Sequence, residues 1–135
     1  MIQIFKQKLL ANWARKGFLS ITAIAFLYHA LVISGIVDYK YAWGGRLESV
    51  EQMYQFEAVS VILSLLFVGV FIANWKLATN KYAKTITKGL LLVISLIFLL
   101  NTVGNIFAVH PFEAILFTPL TLLSAIFAFR LGIES

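Results

Sequence analysis

The amino-acid sequence predicts an all-α integral membrane protein built from four transmembrane helices. Of its 135 residues, 61% are hydrophobic and only 13% are charged, whereas about a quarter of the residues of a soluble domain are charged. Four apolar stretches each reach the length of about 20 residues that crosses a hydrocarbon core. Because four such helices and their links occupy nearly all of residues 1–135, we expect a single transmembrane domain and no separate soluble one.

The predicted spans cover residues 18–37, 54–75, 89–109 and 112–131, with an outer loop at 38–53. Residues 1–17 form a basic segment in which Ile2, Phe5, Leu9 and Trp13 recur at helical spacing. This spacing predicts a helix lying at the membrane surface; a basic leader that only sets the topology is the alternative. The first apolar stretch is longer than the 7 to 15 residues of a signal peptide, so we expect it to be retained.

Basic residues indicate the orientation, because loops on the cytoplasmic side carry an excess of lysine and arginine. They precede the first span and separate the second from the third, with no acidic residue among them: Lys6, Lys8, Arg15, Lys16, Lys76, Lys81, Lys84 and Lys88. The outer loop instead carries Asp38, Glu48 and Glu51, and Arg130 follows near the C-terminus. Both termini are therefore predicted to lie in the cytoplasm.

The composition also excludes several kinds of site. The chain has no cysteine, so disulfides, thiolate metal sites and cysteine nucleophiles are excluded. Its two histidines, His29 and His110, are predicted at different depths, so neither a haem nor any other cofactor or metal is expected. Because the basic residues sort by membrane side, we expect lipids and not nucleic acid as partners. A homo-oligomer or a larger membrane complex stays open.

Two short repeats suggest a parallel duplication of a two-helix hairpin. Phe-Glu-Ala occurs at residues 56–58 and again at 112–114, and Lys-Gly occurs at 16–17 and at 88–89. A true duplication would place Glu57 and Glu113 on either side of one cleft, as in transporters built from parallel repeats. Chance similarity between apolar segments is an equally good explanation.

A few polar side chains fall inside the predicted spans, where they are costly and therefore mark a hydrogen-bonded network or a pathway. At 1.5 Å per residue, His29 lies a little beyond mid-membrane toward the outside. Asn101 is predicted at a similar depth, and Asn105 lies one turn farther out on the same helix face. These groups either line a polar strip or form hydrogen bonds that hold the helices together.

Glu57 and Glu113 are predicted near the outer start of their helices. There they either cap the helix N-terminus or bind a cation or a proton. We expect at least one of them to pair with Arg46, the one arginine on that side, or with a histidine or an asparagine. Arg46 follows Trp43 and two glycines. Trp43 is predicted to contact lipid headgroups, either as part of a headgroup site or as a simple interfacial anchor.

Together these residues predict an outward-facing polar pocket that binds or transports a small cation, a proton or an amphiphile. Its residues are Glu57, Glu113, His29, Asn101, Asn105 and Arg46. One alternative is a non-catalytic accessory or structural membrane subunit. A second is a lipid-modifying enzyme with one glutamate as acid or base and His29 as its partner. Since no nucleophile or metal cluster accompanies these residues, the sequence favours a non-enzymatic role. The expected location is the bacterial cytoplasmic (inner) membrane.

Overall fold

A computed structural model describes residues 1–134, within which all regular structure is helical. The α-helices are α1 (Ile2–Lys8), α2 (Ala11–Ile33), α3 (Val50–Lys76), α4 (Lys81–Ile106) and α5 (Pro111–Gly132), and two single-turn 3-10 helices (Tyr39–Tyr41 and Trp43–Gly45) lie between α2 and α3. Helices α2 to α5 are long and apolar enough to cross a membrane. The structure therefore supports a helical membrane protein; its orientation and the proposed duplication stay predictions.

The helix that contains most of the first predicted span begins before it. Helix α2 runs from Ala11 to Ile33, whereas the predicted span covers residues 18–37. Leu9 adopts an extended conformation that separates α1 from α2. Arg15 and Lys16 lie within α2, which a span tolerates because their long side chains reach the headgroup layer.

The lysine-rich link between the second and third spans is shorter than the sequence suggested. Asn80 caps α4, accepting a hydrogen bond from the backbone N–H of Ala83 at 3.1 Å. Residues 81–88 consequently form the first turns of α4. Because these residues are charged, the apolar pattern did not predict that the helix starts at Lys81, before the apolar stretch begins.

The helices pack most closely at the end that carries nine of the eleven basic residues, here called the basic end. Phe18 of α2 stacks on Phe71 of α3 with ring centroids 3.5 Å apart. They belong to an apolar cluster drawn from all four long helices: Ala14, Phe18, Phe71, Leu91, Ile94, Ala128 and Leu131. Lipid tails are as apolar as these side chains, so dispersion contacts between closely packed helices stabilise this cluster.

Helix α1 is held to this end by Arg130 of α5, whose side chain is only 4% exposed. Its Nε donates to the carbonyl of Leu9 at 2.6 Å, and its guanidinium also bonds the carboxylate of Glu134. Phe5 packs against Phe129 with centroids 6.2 Å apart. No residue of α1 is buried, so the helix lies on the surface of the bundle.

The opposite end, here called the loop end, is covered by the segment between α2 and α3. This segment, residues 34–49, folds back over the bundle. A second apolar cluster fixes it there: Val32, Ala42, Leu47 and Met53. The space between the two clusters contains the cavity described next.

Candidate functional site

A cavity of about 520 Å³ lies between helices α2 to α5 in the loop-end half of the bundle. All seven residues that the sequence singled out line it: His29, Trp43, Arg46, Glu57, Asn101, Asn105 and Glu113. The structure thus brings together polar groups from four helices and a loop. What these groups bind stays a prediction.

Glu57 is the most deeply buried ionisable group of the cavity, with 1% of its surface exposed. Ser49 caps α3, so Glu57 lies about two helical turns inside the helix. Its Oε2 lies 2.5 Å from His29 Nδ1, and its Oε1 accepts a hydrogen bond from the indole Nε1–H of Trp43 at 3.3 Å. Both carboxylate oxygens are therefore bonded, and Glu57 links α3 to α2 and to the loop.

Glu113 lies in the first turn of α5 and is 8% exposed. The sequence left open that it caps its own helix, but its carboxylate accepts a hydrogen bond from the backbone N–H of Gly44 instead. A hydrogen bond to a carboxylate is about twice as strong as one between neutral groups. Glu113 therefore fastens the loop to α5, as Glu57 fastens it to α3.

The loop reaches both glutamates through an unusual turn. Trp43, Gly44 and Gly45 have φ values of 55°, 72° and 73°. Glycine adopts this left-handed region without strain, whereas a bulky residue such as tryptophan rarely does. The turn aims the Trp43 indole at Glu57 and the next backbone N–H at Glu113, which accounts for the unfavourable conformation at Trp43.

The same loop is tied to the link between α4 and α5. Val109 N–H donates to the Gly44 carbonyl at 2.9 Å, and the rings of Tyr41 and His110 pack with centroids 5.0 Å apart. These contacts complete the cover over the loop end of the cavity.

The sequence predicts that at least one of the two glutamates pairs with Arg46, a histidine or an asparagine, and Glu57 pairs with His29. Arg46 itself forms a different contact. Its Nη2 donates to the carbonyl of Phe107 at 3.3 Å, and its side chain is exposed. Among residues 1–134 the ion pairs are His29–Glu57 and Arg130–Glu134. Of the three partners that the sequence allowed, the histidine therefore lies beside Glu57, and Arg46 lies at the cavity rim.

The two asparagines have different surroundings. Asn105 Nδ2 donates to Thr121 Oγ1 at 3.3 Å, and Thr121 also lies 2.9 Å from Thr102 Oγ1. This network connects α4 with α5 and has the structural role that the sequence left open for the asparagines. Asn101 is exposed and forms no hydrogen bond with the described residues, so its amide is available to a ligand.

Apolar and aromatic side chains form the rest of the cavity wall. Phe98 contacts Phe18 and Phe67 edge-on, with centroids 5.8 and 5.6 Å apart, and the three rings form the floor toward the basic end. Sequence reasoning missed these rings because they look like ordinary core residues. It also missed Ser60 and Ser64, which line the cavity.

The missed serines did carry a signal. Glu57, Ser60 and Ser64 are spaced i, i+3 and i+7, which places them on one face of a helix. Phe18, Thr22, Ala25 and His29 repeat the same periodicity on α2, and all four line the cavity. On each of these helices, the residues that share a face with the buried carboxylate or the histidine are therefore the ones that line the cavity.

The wall between α3 and α4 is closed at the basic end and open farther out. Near the basic end Asn74 Nδ2 donates to Thr87 Oγ1 at 3.0 Å across the two helices. Closer to the loop end, Leu63 of α3 and Leu100 of α4 both line the cavity and are both exposed. The cavity is consequently open to the side, at the depth of the apolar helix surfaces.

The chemistry of the lining changes along the membrane normal. Charged and amide groups gather under the loop, and aromatic rings lie below them. Within residues 1–134 no group of three histidine or acidic side chains could hold a metal ion. Comparisons of the chain with protein-family models, with curated proteins and with solved structures found no match, so its function is argued from this geometry.

Proposed function

We propose that the protein binds an amphiphile in this cavity, with the polar head under the loop and the apolar body along the aromatic floor. The change from polar to apolar lining within one cavity carries this proposal. Its volume of about 520 Å³ is in the range of sites that enclose small molecules, about 300 to 1,000 Å³. The coarser conclusion, a helical membrane protein, does not depend on it.

Hydrogen-bond partners in the cavity favour an uncharged head with acceptor atoms. Glu57 and Glu113 already accept hydrogen bonds from the protein, so they do not need a cationic ligand to balance their burial. Arg46 and Asn101 retain N–H donors at the rim. A carbonyl, ester or hydroxyl group matches these donors, and this favours the amphiphile over the small cation among the ligands considered.

The opening between α3 and α4 supplies a route from the bilayer. Leu63 and Leu100 border it with apolar side chains, whereas the loop covers the aqueous side. An amphiphile dissolved in the membrane therefore reaches the cavity without crossing water. This route distinguishes the proposal from an accessory subunit, in which the same polar groups would serve only to hold the helices together.

Two glycines provide a matched test. A Cβ at Gly104 or at Gly69 would meet no atom within 4 Å, but only Gly104 lines the cavity. Leucine at either position raises helix propensity by up to about 1 kcal/mol, so both variants should fold. Leucine at position 104 would occupy the cavity beside Asn101 and Asn105.

The probe is a monoacylglycerol, titrated into detergent-solubilised protein while the thermal unfolding midpoint and the bound mass are measured. Wild type and Gly69→Leu should show a saturable rise of the midpoint and a one-to-one adduct, and Gly104→Leu should show neither. If no monoacylglycerol or zwitterionic lysophospholipid gives a saturable rise in any of the three proteins, the amphiphile proposal fails and the accessory role is favoured.

We also propose that the basic end lies in the cytoplasm and the loop end outside, in the bacterial cytoplasmic membrane, because nine of the eleven basic residues cluster at one end. The cysteine-free chain allows single-cysteine labelling with a membrane-impermeant maleimide on intact cells. Glu48→Cys should react and Lys81→Cys should react only after the membrane is opened. Labelling of Lys81→Cys on intact cells would reverse the orientation.

A further inference from the structure

Trp75, near the end of α3, has two cations against its ring. The Arg15 guanidinium carbon, from α2, lies 5.6 Å from the ring centroid, and the Lys76 Nζ lies 4.7 Å from it. The indole is 51% exposed. The three side chains therefore form a cluster across the α2–α3 contact at the surface of the basic end.

Arg15 in this cluster has unused hydrogen-bonding capacity. One Nη donates to Asn12 Oδ1 at 2.9 Å, but the buried Nε has no hydrogen-bond partner. A guanidinium carries five N–H donors, and no carboxylate bonds this one among residues 1–134. Glu134, the only acidic residue at this end, forms its ion pair with Arg130 and acts on Arg15 only through its charge at longer range.

We propose that Arg15, Trp75 and Lys76 form a binding site for the phosphate headgroup of an anionic phospholipid. A guanidinium fork matches phosphate oxygens in geometry and charge, and Lys76 adds a second positive charge beside it. Tryptophan prefers the headgroup layer, where its ring is apolar and its N–H is hydrated. Basic pockets between transmembrane helices on the cytoplasmic side bind such headgroups.

This site is independent of the amphiphile cavity. Trp75 lies one helical turn beyond Phe71, which packs with Phe18 in the apolar cluster that closes the cavity floor. The lipid bound here belongs to the leaflet at the basic end, whereas the cavity opens toward the other leaflet. Either site can exist without the other.

Quenching of Trp75 fluorescence by brominated lipids tests the site directly. The protein is placed in phosphatidylcholine vesicles that contain a small fraction of either brominated phosphatidylglycerol or brominated phosphatidylcholine. Because the chain has three tryptophans, each protein is compared with its Trp75→Phe counterpart, and the difference is the Trp75 signal. We expect phosphatidylglycerol to quench wild-type Trp75 at least three-fold more than phosphatidylcholine at equal fraction.

Two double variants of equal charge identify the residues responsible. Arg15→Gln with Lys76→Gln should reduce the phosphatidylglycerol preference to about one. Lys81→Gln with Lys88→Gln removes the same charge from α4 and should leave the preference intact. An equal loss in both double variants would show general attraction to the basic end and would overturn the site.

A last comparison separates a lipid headgroup from free phosphate. Inorganic phosphate should compete only weakly with the lipid in vesicles, because the membrane concentrates the phospholipid beside Trp75. If inorganic phosphate alone changed the Trp75 signal saturably, and the protein showed no preference for phosphatidylglycerol, the assignment to a lipid would be overturned. Equal quenching by the two brominated lipids in wild type would do the same.

Discussion

The two ends of the helix bundle use different interactions for the same task of holding four helices together. At the basic end the helices approach closely, and aromatic rings stack over small residues such as Ala14 and Ala128. At the loop end the helices surround a cavity, and hydrogen bonds connect the loop to Glu57 of α3 and Glu113 of α5. Because close helix packing at the basic end stabilises the bundle, the loop end can contain a cavity.

One arginine at each end donates a hydrogen bond to a backbone carbonyl, so the two ends can be compared through the same interaction. Arg130 is buried at the basic end and bonds the Leu9 carbonyl at 2.6 Å. Arg46 is exposed at the loop end and bonds the Phe107 carbonyl at 3.3 Å. Water can replace the protein partner of an exposed group but not that of a buried one.

Replacing Arg130 should have the largest effect on stability. Arg130→Met removes the charged donor from the Leu9 carbonyl and leaves Glu134 unpaired. We expect a loss of about 2 to 3 kcal/mol, the usual contribution of a buried hydrogen bond to a charged group. Unfolding by a denaturing detergent, with helicity followed by circular dichroism, measures this loss. A loss no greater than that of Arg46→Ala would contradict the difference between the ends.

At the loop end, replacing Glu113 should change the local stability of the loop and not the stability of the whole fold. Glu113→Gln keeps an acceptor for Gly44 but loses the charge, which should weaken the contact by about 1 kcal/mol. Amide hydrogen exchange in residues 39–49 should then speed up roughly five-fold, with unfolding almost unchanged. Glu51→Gln, outside the cavity, is the control. Unaltered exchange in Glu113→Gln would show that other contacts hold the loop.

Part of this organisation could be predicted from the sequence. Spans follow from apolar length alone, and costly polar residues within spans, such as Glu57 and His29, tend to face inward. Single-residue propensities do not predict that Trp43 adopts a left-handed conformation, because this conformation depends on contacts with two helices. The choice of His29 over Arg46 as partner of Glu57 likewise depends on how α2 packs beside α3.

The smallest effect is expected for Arg46→Ala, which tests whether Arg46 compensates a buried glutamate in addition to the observed His29–Glu57 pair. If Arg46 were the counterion of a buried glutamate, its removal would leave an unpaired charge and cost several kcal/mol. In the structure it gives one exposed hydrogen bond of 3.3 Å to Phe107, so stability should fall by less than about 1 kcal/mol. Unfolding of Arg46→Ala beside Arg130→Met provides the measurement. A loss for Arg46→Ala that matches the one for Arg130→Met would mean that Arg46 does compensate Glu57 or Glu113, and that both ends depend on buried charge.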